Sequence, residues 1–297
     1  MLVDSPAQAE VSVLVDLSNL GYRALYGNKD LRTSQGVPSG HVYGCIRMLI
    51  TLFRNLNATI CPVFCYDGKN AKLERLKLYP GYKGNRTPHE VDPISGSKEL
   101  VINIPGLHIE QEGFEGDDAV AWAVNLISPR NIIIFTGDKD MFSLMRYPNV
   151  RVFSPNKGGF VEKADWLKEY HVEDPARIYL AKSLFGDASD NIKGVERLLK
   201  KQVEPILNSE KCVDVAAFYD MIAVQPESMS DKMWAKTMEA KDRVFTNYQV
   251  VLPRVEGFTK AAVKRTIKNQ ENKNKLLQVL TKYECISTLS EAEDLYK

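Results

Sequence analysis

Three near-continuous apolar runs organise the first half of the chain, and each ends in an acid. Val11-Ser-Val-Leu-Val15 runs into Asp16, Ile60-Cys-Pro-Val-Phe-Cys-Tyr66 into Asp67, and Asn131-Ile-Ile-Ile-Phe-Thr136 through Gly137 into Asp138. Runs of this kind suit strands buried on both faces, as in a parallel sheet. Between the first two, Val42, Ile46, Leu49, Ile50, Phe53 and Leu56 recur at helical spacing, with Ser39 placed to cap the start. Between the second and third, Val120, Ala123, Val124 and Ile127 line one face of a helix expected over 116–127. Strands alternating with helices imply βαβ units and an α/β fold with a mostly parallel central sheet flanked by helices. Open sheets of this type bind ligands at the carboxyl ends of their strands. Asp16, Asp67 and Asp138 would all sit there.

The pattern changes after Pro148. Residues 150–154 and 160–162, joined through Lys157-Gly-Gly159, read as a hairpin with a glycine turn. From Pro175 onward the chain reads as helical, over 175–185, 194–207, 212–223, 231–247 and 260–282. The expected division is therefore an α/β domain over 1–175 and a helical domain over 176–297.

Composition narrows the class without naming a chemistry. The 297 residues are 44% hydrophobic and 26% charged, which excludes a disordered polyelectrolyte, a collagen and a coiled coil. The 39 Lys+Arg against 38 Asp+Glu give a net charge of +1, which on its face speaks against a nucleic-acid partner. The start of the chain has no basic n-region and no apolar core of signal length, and no run is long enough to span a bilayer. A cytoplasmic location without membrane contact is expected. The five cysteines are odd in number and have no His or Cys partners to complete a zinc shell, so buried thiols in a reducing compartment are expected. His41, His89, His108 and His171 are scattered and read as surface or loop residues.

Nine carboxylates in five short segments carry the chemistry: Asp16; Asp67; Glu115, Asp117 and Asp118; Asp138 and Asp140; Asp187 and Asp190. Gathered at one sheet edge, such acids would raise one another's pKa unless cations share the site. Oxygen ligands without His or Cys favour Mg²⁺ or Mn²⁺. A crowded carboxylate bowl suits a site of two or more ions, of the kind that holds both oxygens of a phosphoryl displacement. Taken singly, Asp117 or Asp118 could equally cap a helix, and Asp187 or Asp190 could form a turn. A phosphoaspartate phosphatase like the haloacid dehalogenases is a competitor for Asp16, although it wants an acid where Ser18 stands.

The order of motifs resembles the 5′-nuclease family, which includes phage flap endonucleases and 5′–3′ exonucleases and the N-terminal nuclease domain of bacterial DNA polymerase I. The resemblance is carried by Leu14-Val-Asp16-Leu-Ser-Asn-Leu-Gly-Tyr22-Arg23, Tyr66-Asp67-Gly68, Gly81-Tyr-Lys83-Gly-Asn-Arg86, Glu115-Gly-Asp-Asp118, Thr136-Gly-Asp138-Lys-Asp140 and Gly186-Asp-Ala-Ser-Asp190-Asn-Ile192. It implies a PIN-like fold and a Mg²⁺- or Mn²⁺-dependent enzyme that cuts DNA at 5′ flaps, nicks or gaps in replication or repair, with RNA primers on DNA as a substrate variant. It further implies that Asp16, Asp67, Glu115, Asp117 and Asp118 serve a first metal cluster and Asp138, Asp140, Asp187 and Asp190 a second.

Lys83 and Arg86 match the family's basic pair at the base of a helical arch. On a helix their spacing of three would put both on one face, where a cation stabilises charge on the scissile phosphate. Tyr82 could stack on an unpaired base and Arg23 could contact a phosphate or pair within the fold. Pro88, Pro93 and Gly96 argue against one long arch helix. The family's helix–hairpin–helix, expected near 186–207, is degenerate here: Gly194 is kept, but Arg197, Leu198 and Leu199 occupy the later glycine-containing turn. Lys193, Arg197, Lys200 and Lys201 would then hold duplex phosphates by charge, or simply line an exposed helix, and a K⁺ site stays open. Two basic runs, 69–86 and 260–275, flank this picture, the first favouring DNA and the second reading as a solvated face. The expected molecule is a monomer acting on branched or 5′-ended DNA, with a non-catalytic junction-binding protein as the non-enzyme alternative. Setting the nine proposed ligands aside leaves 39 bases against 29 acids, so the neutral total conceals an acidic bowl within a basic surface.

Overall fold

The computed structural model describes residues 1–86, 92–127 and 130–297. Its strands are β1 (Val11–Asp16), β2 (Ile60–Cys65), β3 (Gly106–Ile109), β4 (Asn131–Phe135), β5 (Val150–Ser154), β6 (Gly159–Phe160), β7 (Gly186–Asp187), β8 (Ile192–Lys193) and β9 (Val263–Thr266). Seven of them form one sheet in the order β6-β5-β4-β1-β2-β3-β9, parallel except for the two edge pairings. β1 lies between β2 and β4, with Val15 level with both Phe64 and Phe135. The chain moves outward from β1 to β2 and β3, then restarts on the other side at β4. The carboxyl end of β1 is thus the switch point, where such sheets open a crevice.

The first helices are α1 (Leu17–Gly27), α2 (Gly40–Leu56), α3 (Leu73–Leu78), α4 (Pro93–Val101), α5 (Gly116–Ile127) and α6 (Lys163–Tyr170). They are followed by α7 (Ile178–Phe185), α8 (Lys200–Leu207), α9 (Val215–Met221), α10 (Asp231–Glu239), α11 (Lys241–Val251), α12 (Gln270–Lys282) and α13 (Leu289–Glu293). Alternation along the strands divides the interior in two. Val13, Val15, Phe64, Ile133 and Phe135 pack against α1, α2, α4 and the C-terminal helices through Leu49, Leu100, Leu280 and Leu295. Leu14, Val63, Ile132 and Ile134 face the other way, onto α5, α7 and the helices that follow. Strands covered on both faces are what the unbroken apolar runs call for.

The structure corrects the helical tail in three places. Residues 194–199 are turns, and the helix begins only at Lys200. The helix expected over 231–247 breaks at Ala240 and restarts, reaching Val251. The stretch 260–282 is not one helix: Val263–Thr266 forms β9, antiparallel to β3, before α12 begins. Lys and Ala favour helix locally, but β3 would otherwise present an open edge, and pairing overrides propensity. Pro93 opens a short helix capped by Asp92, whose side chain accepts from the Ile94 N–H at 2.9 Å. The expectations for Pro88 and His89 lie outside the described residues. His41 and His108 are buried rather than on the surface. His108 shares a 2.5 Å hydrogen bond with the Tyr66 hydroxyl, and burial pushes its pKa down to about 4. All five cysteines are buried free thiols. Among the described residues no helix is long and apolar enough to cross a membrane.

Candidate active site

Asp16 ends β1 and caps α1. Its Oδ1 accepts the Asn19 N–H at 3.0 Å and its Oδ2 accepts the Thr136 hydroxyl at 3.0 Å. Asn19 in turn accepts the Gly137 N–H at 2.7 Å, which latches the loop after β4 onto α1. That loop delivers Asp138, the cap of a 3-10 segment over Lys139–Arg146, whose Oδ1 accepts the Asp140 N–H at 2.9 Å. Asp117 comes from the first turn of α5. Oxygens of Asp16, Asp117 and Asp138 all lie within 4.8 Å of one another. Asp67 borders this group and braces it, accepting the Gly116 N–H at 2.6 Å and the Ser18 hydroxyl at 2.8 Å.

A second group forms where the loop after β4 meets the β7–β8 turn. Oxygens of Asp140, Asp187 and Asp190 again lie within 4.8 Å of one another. Lys182 of α7, 5% exposed, is ion-paired to both Asp140 and Asp187, the latter at 2.6 Å. Lys182 lies outside the motifs that mark the acids. Its signal was a lone charge within the apolar helix Ile178–Phe185, five residues before Asp187.

Glu115 and Asp118 join neither group. Asp118 is fully buried, and its two oxygens accept from the Arg75 guanidinium at 2.8 and 3.0 Å, the Glu115 N–H at 3.0 Å and the Arg254 N–H at 2.6 Å. No lone pair is left facing the bowl, so Asp118 is corrected from expected ligand to internal partner. Glu115 accepts from Arg75 at 2.7 Å, from Lys83 at 2.7 Å and from the Tyr82 hydroxyl at 2.8 Å. Arg75, within the basic run 69–86 expected to favour DNA, is buried and also donates to the carbonyls of Val250 and Leu252. It ties α3, the start of α5 and the end of α11 together. Arg75→Met should lower unfolding free energy by about 3 kcal/mol, because the buried Asp118 loses its paired cation and Glu115 keeps only Lys83. Urea denaturation of the variant checks this.

Residues 79–86 are turns rather than a helix. Lys83 takes the left-handed backbone (φ 54°), so its pairing with Arg86 does not come from helical spacing. The loop is stitched to the β7–β8 turn: the Lys83 N–H donates to the Asp190 carbonyl at 2.9 Å, and the Asn191 side chain donates to the Gly81 carbonyl at 2.7 Å. Arg86 pairs with Asp190 at 2.8 Å. Tyr82 is 4% exposed with its hydroxyl on Glu115, so its ring is not presented for base stacking. Arg23 donates to the Asn156 side chain and the Pro155 carbonyl, neutral partners rather than the acid of an internal ion pair.

Of the remaining basic set, Lys193, Arg197 and Lys201 are exposed, while Lys200 donates to the Glu169 carbonyl. Gly194 is explained by packing, since a Cβ there would fall 2.2 Å from the Phe185 carbonyl carbon. Arg197 adopts φ 64°, the strained turn conformation that a glycine would take without cost.

The crowded acids respond as metal-free carboxylates should. Burial, aided by Asp67, pushes the Asp16 pKa up to about 6, and burial with Asp140 beside it pushes Asp138 up to about 7. Asp117 is raised as well, by burial and then by its acidic neighbours against the pull of Lys83. Glu115 and Asp187 move down despite burial, under Lys83 and Arg75 in one case and Lys182 in the other. A carboxylate raised in the fold binds protons that the unfolded chain has already lost. The stability it contributes is present below the unfolded pKa and is lost as pH rises through the folded value. Metal-free protein should therefore melt at a lower temperature at pH 8 than at pH 5.5. Added Mg²⁺ should raise the melting temperature more at pH 8. Calorimetry with and without chelator reads both effects.

The donor chemistry fits a hard cation: three oxygens in each group, no sulfur or imidazole, and an ammonium already standing in the second. The family model for the 5′–3′ exonuclease N-terminal resolvase-like domain matches residues 11–174. The chain is 31% identical to a 5′–3′ exonuclease of Aquifex aeolicus over 209 residues, covering 68% of this chain and 70% of that protein. It is 31% identical over 200 residues to the thermostable DNA polymerase I of Thermus aquaticus, covering 66% of this chain but only 23% of the polymerase. The fold is similar to that of the bacteriophage T5 flap endonuclease in a pseudo-enzyme-product complex with DNA and metal ions. That match has a TM-score of 0.64 at 20% identity and covers 95% of this chain and 99% of the other.

Proposed function

The chain belongs to the 5′–3′ exonuclease family, and from that premise we propose that it is a divalent-metal-dependent 5′-nuclease that hydrolyses DNA at flaps, nicks or gaps. The observation that carries this reading is the pair of three-carboxylate groups at the switch-point edge, with Lys83 and Arg86 on the loop that borders both. Mg²⁺ or Mn²⁺ bound by these acids supplies the Lewis-acid charge for water attack on a phosphodiester. Asp16, Asp117 and Asp138 are the proposed holders of one ion and Asp140, Asp187 and Asp190 of another, with Asp67 bracing the first group. Lys83 lies deep beside Glu115 and Asp117, where an ammonium can balance charge gathering on the scissile phosphate. Arg86, on the rim, can grip the adjoining phosphate bidentately.

Duplex binding is assigned to a groove of about 980 Å³ beside the second group, lined by Asn85, Asn191, Lys193, Arg197 and Arg243 among others. Its phosphate contacts would be charged side chains together with the backbone around Gly194. The α/β part expected over 1–175 would supply most of the hydrolytic site, completed by Asp187 and Asp190 from the segment that follows, and the later helices would hold the duplex. RNA-primed DNA is the natural substrate variant, in a cytoplasmic, monomeric enzyme of replication or repair. The phosphatase alternative is not favoured, because Ser18 serves as a hydrogen-bond donor to Asp67 where that chemistry wants a second acid. A 5′-labelled flap duplex should be cut in Mg²⁺ or Mn²⁺ and left whole in chelator. No cutting in either ion would refute the proposal.

A further inference from the structure

The two carboxylate groups look alike in composition and differ in the cations paired with them, Arg86 holding Asp190 of the second from the rim. Lys182 reaches into the second from α7, 5% exposed, and contacts two of its three acids. Among the described residues no lysine or arginine forms an ion pair with Asp16, Asp117 or Asp138; the closest comparable cation, Lys83, pairs with Glu115. The second group therefore holds a buried ammonium in direct contact with its acids, whereas the first only faces Lys83, which stands beside Asp117 but is paired to Glu115. We infer that Lys182 is a resident cation of the Asp140–Asp187–Asp190 group, which holds those acids together without metal and forces a divalent ion there to bind against an ammonium. The two positions then fill unequally, the Asp16–Asp117–Asp138 position at lower ion concentration and the other at higher. Enclosed by the fold and paired to two acids, the ammonium shares them with the second ion or is pushed off Asp140 toward Asp187. This inference rests on the reading of both groups as ion holders.

The test is metal binding rather than turnover. Mn²⁺ is titrated into the full chain, with free ion read by electron paramagnetic resonance and heats by calorimetry. Wild type should show a tight and a weak class of site. Lys182→Met removes the charge at similar length and should tighten the weak class by about tenfold or more, leaving the tight class in place. Lys182→Arg keeps the charge and should preserve the split. Without metal, Lys182→Met should melt lower than wild type and recover on adding Mn²⁺.

A second measurement needs no variant. Trace acetylation of wild type, read by peptide mass spectrometry, should find Lys182 shielded up to the first equivalent of Mg²⁺ and altered in reactivity as the second binds. An unchanged weak class in Lys182→Met, or unchanged Lys182 reactivity through saturation, would overturn the inference while leaving the nuclease reading intact. Failure of wild type to bind Mn²⁺ at all would overturn both.

Discussion

Asp138→Asn is expected to cut 5′-labelled flap DNA about 10³-fold more slowly than wild type at saturating Mg²⁺, with DNA affinity unchanged or tighter. Asparagine keeps the hydrogen bond that caps the Asp140 N–H, so the loop after β4 stays in place and the variant removes charge alone. Two acids, Asp16 and Asp117, then remain to hold the proposed ion where three stood before. The same substitution should stabilise the metal-free protein at pH 8, where the wild-type carboxylate is charged against a pKa raised to about 7 by burial and by Asp140. At pH 5.5 the wild-type group is largely protonated in the fold, and the gain should shrink. Opposite signs for activity and metal-free stability are the mark of a carboxylate placed for a cation rather than for the fold. Cleavage at the wild-type rate would remove Asp138 from the ion-holding set.

The parts of this molecule legible in its sequence are those where burial alone decides structure. β1, β2 and β4 are apolar on both faces because helices cover both, and each runs toward an acid at the sheet's open edge. β9 was hidden because its four residues are half basic; it exists as a partner for β3, and pairing partners leave no local mark. The same limit applied within the site. Adjacent positions on a helix point about 100° apart, so Asp117 reaches the bowl while Asp118 turns inward onto Arg75, though the two letters read alike. Tyr82 and Arg75 sat in a basic stretch that suggested an exposed DNA surface, yet both are buried as partners of Glu115. What a charged residue does depends on which charge faces it, and that is set by contacts far apart in the chain. The near-zero net charge follows the same logic: six of its acids are gathered at one edge, in two groups whose donors suit cations.

Lys83→Ala should lower single-turnover cleavage by roughly 10²–10³-fold while changing DNA affinity only a few-fold. The case starts from the backbone. Lys83 holds a left-handed conformation that alanine tolerates no better, so the substitution adds little new strain to the 79–86 turns. Glu115 keeps Arg75 and Tyr82 as partners, and the inner tie between α3, α5 and α11 survives. What disappears is one ammonium, 8% exposed in its side chain, held charged against burial by Asp117 and Glu115. A group so enclosed contributes little to long-range attraction of a duplex, which falls to exposed bases such as Lys193 and Lys201. Its influence is confined to charge that develops beside Asp117 during phosphodiester cleavage, and that charge is felt in the rate. Lys193→Ala supplies the contrast, with weaker, more salt-sensitive binding and near-normal single-turnover cleavage once DNA is saturating. If Lys83→Ala instead lost affinity and kept its rate, Lys83 would be a binding residue and the stabilising charge would have to come from Arg86.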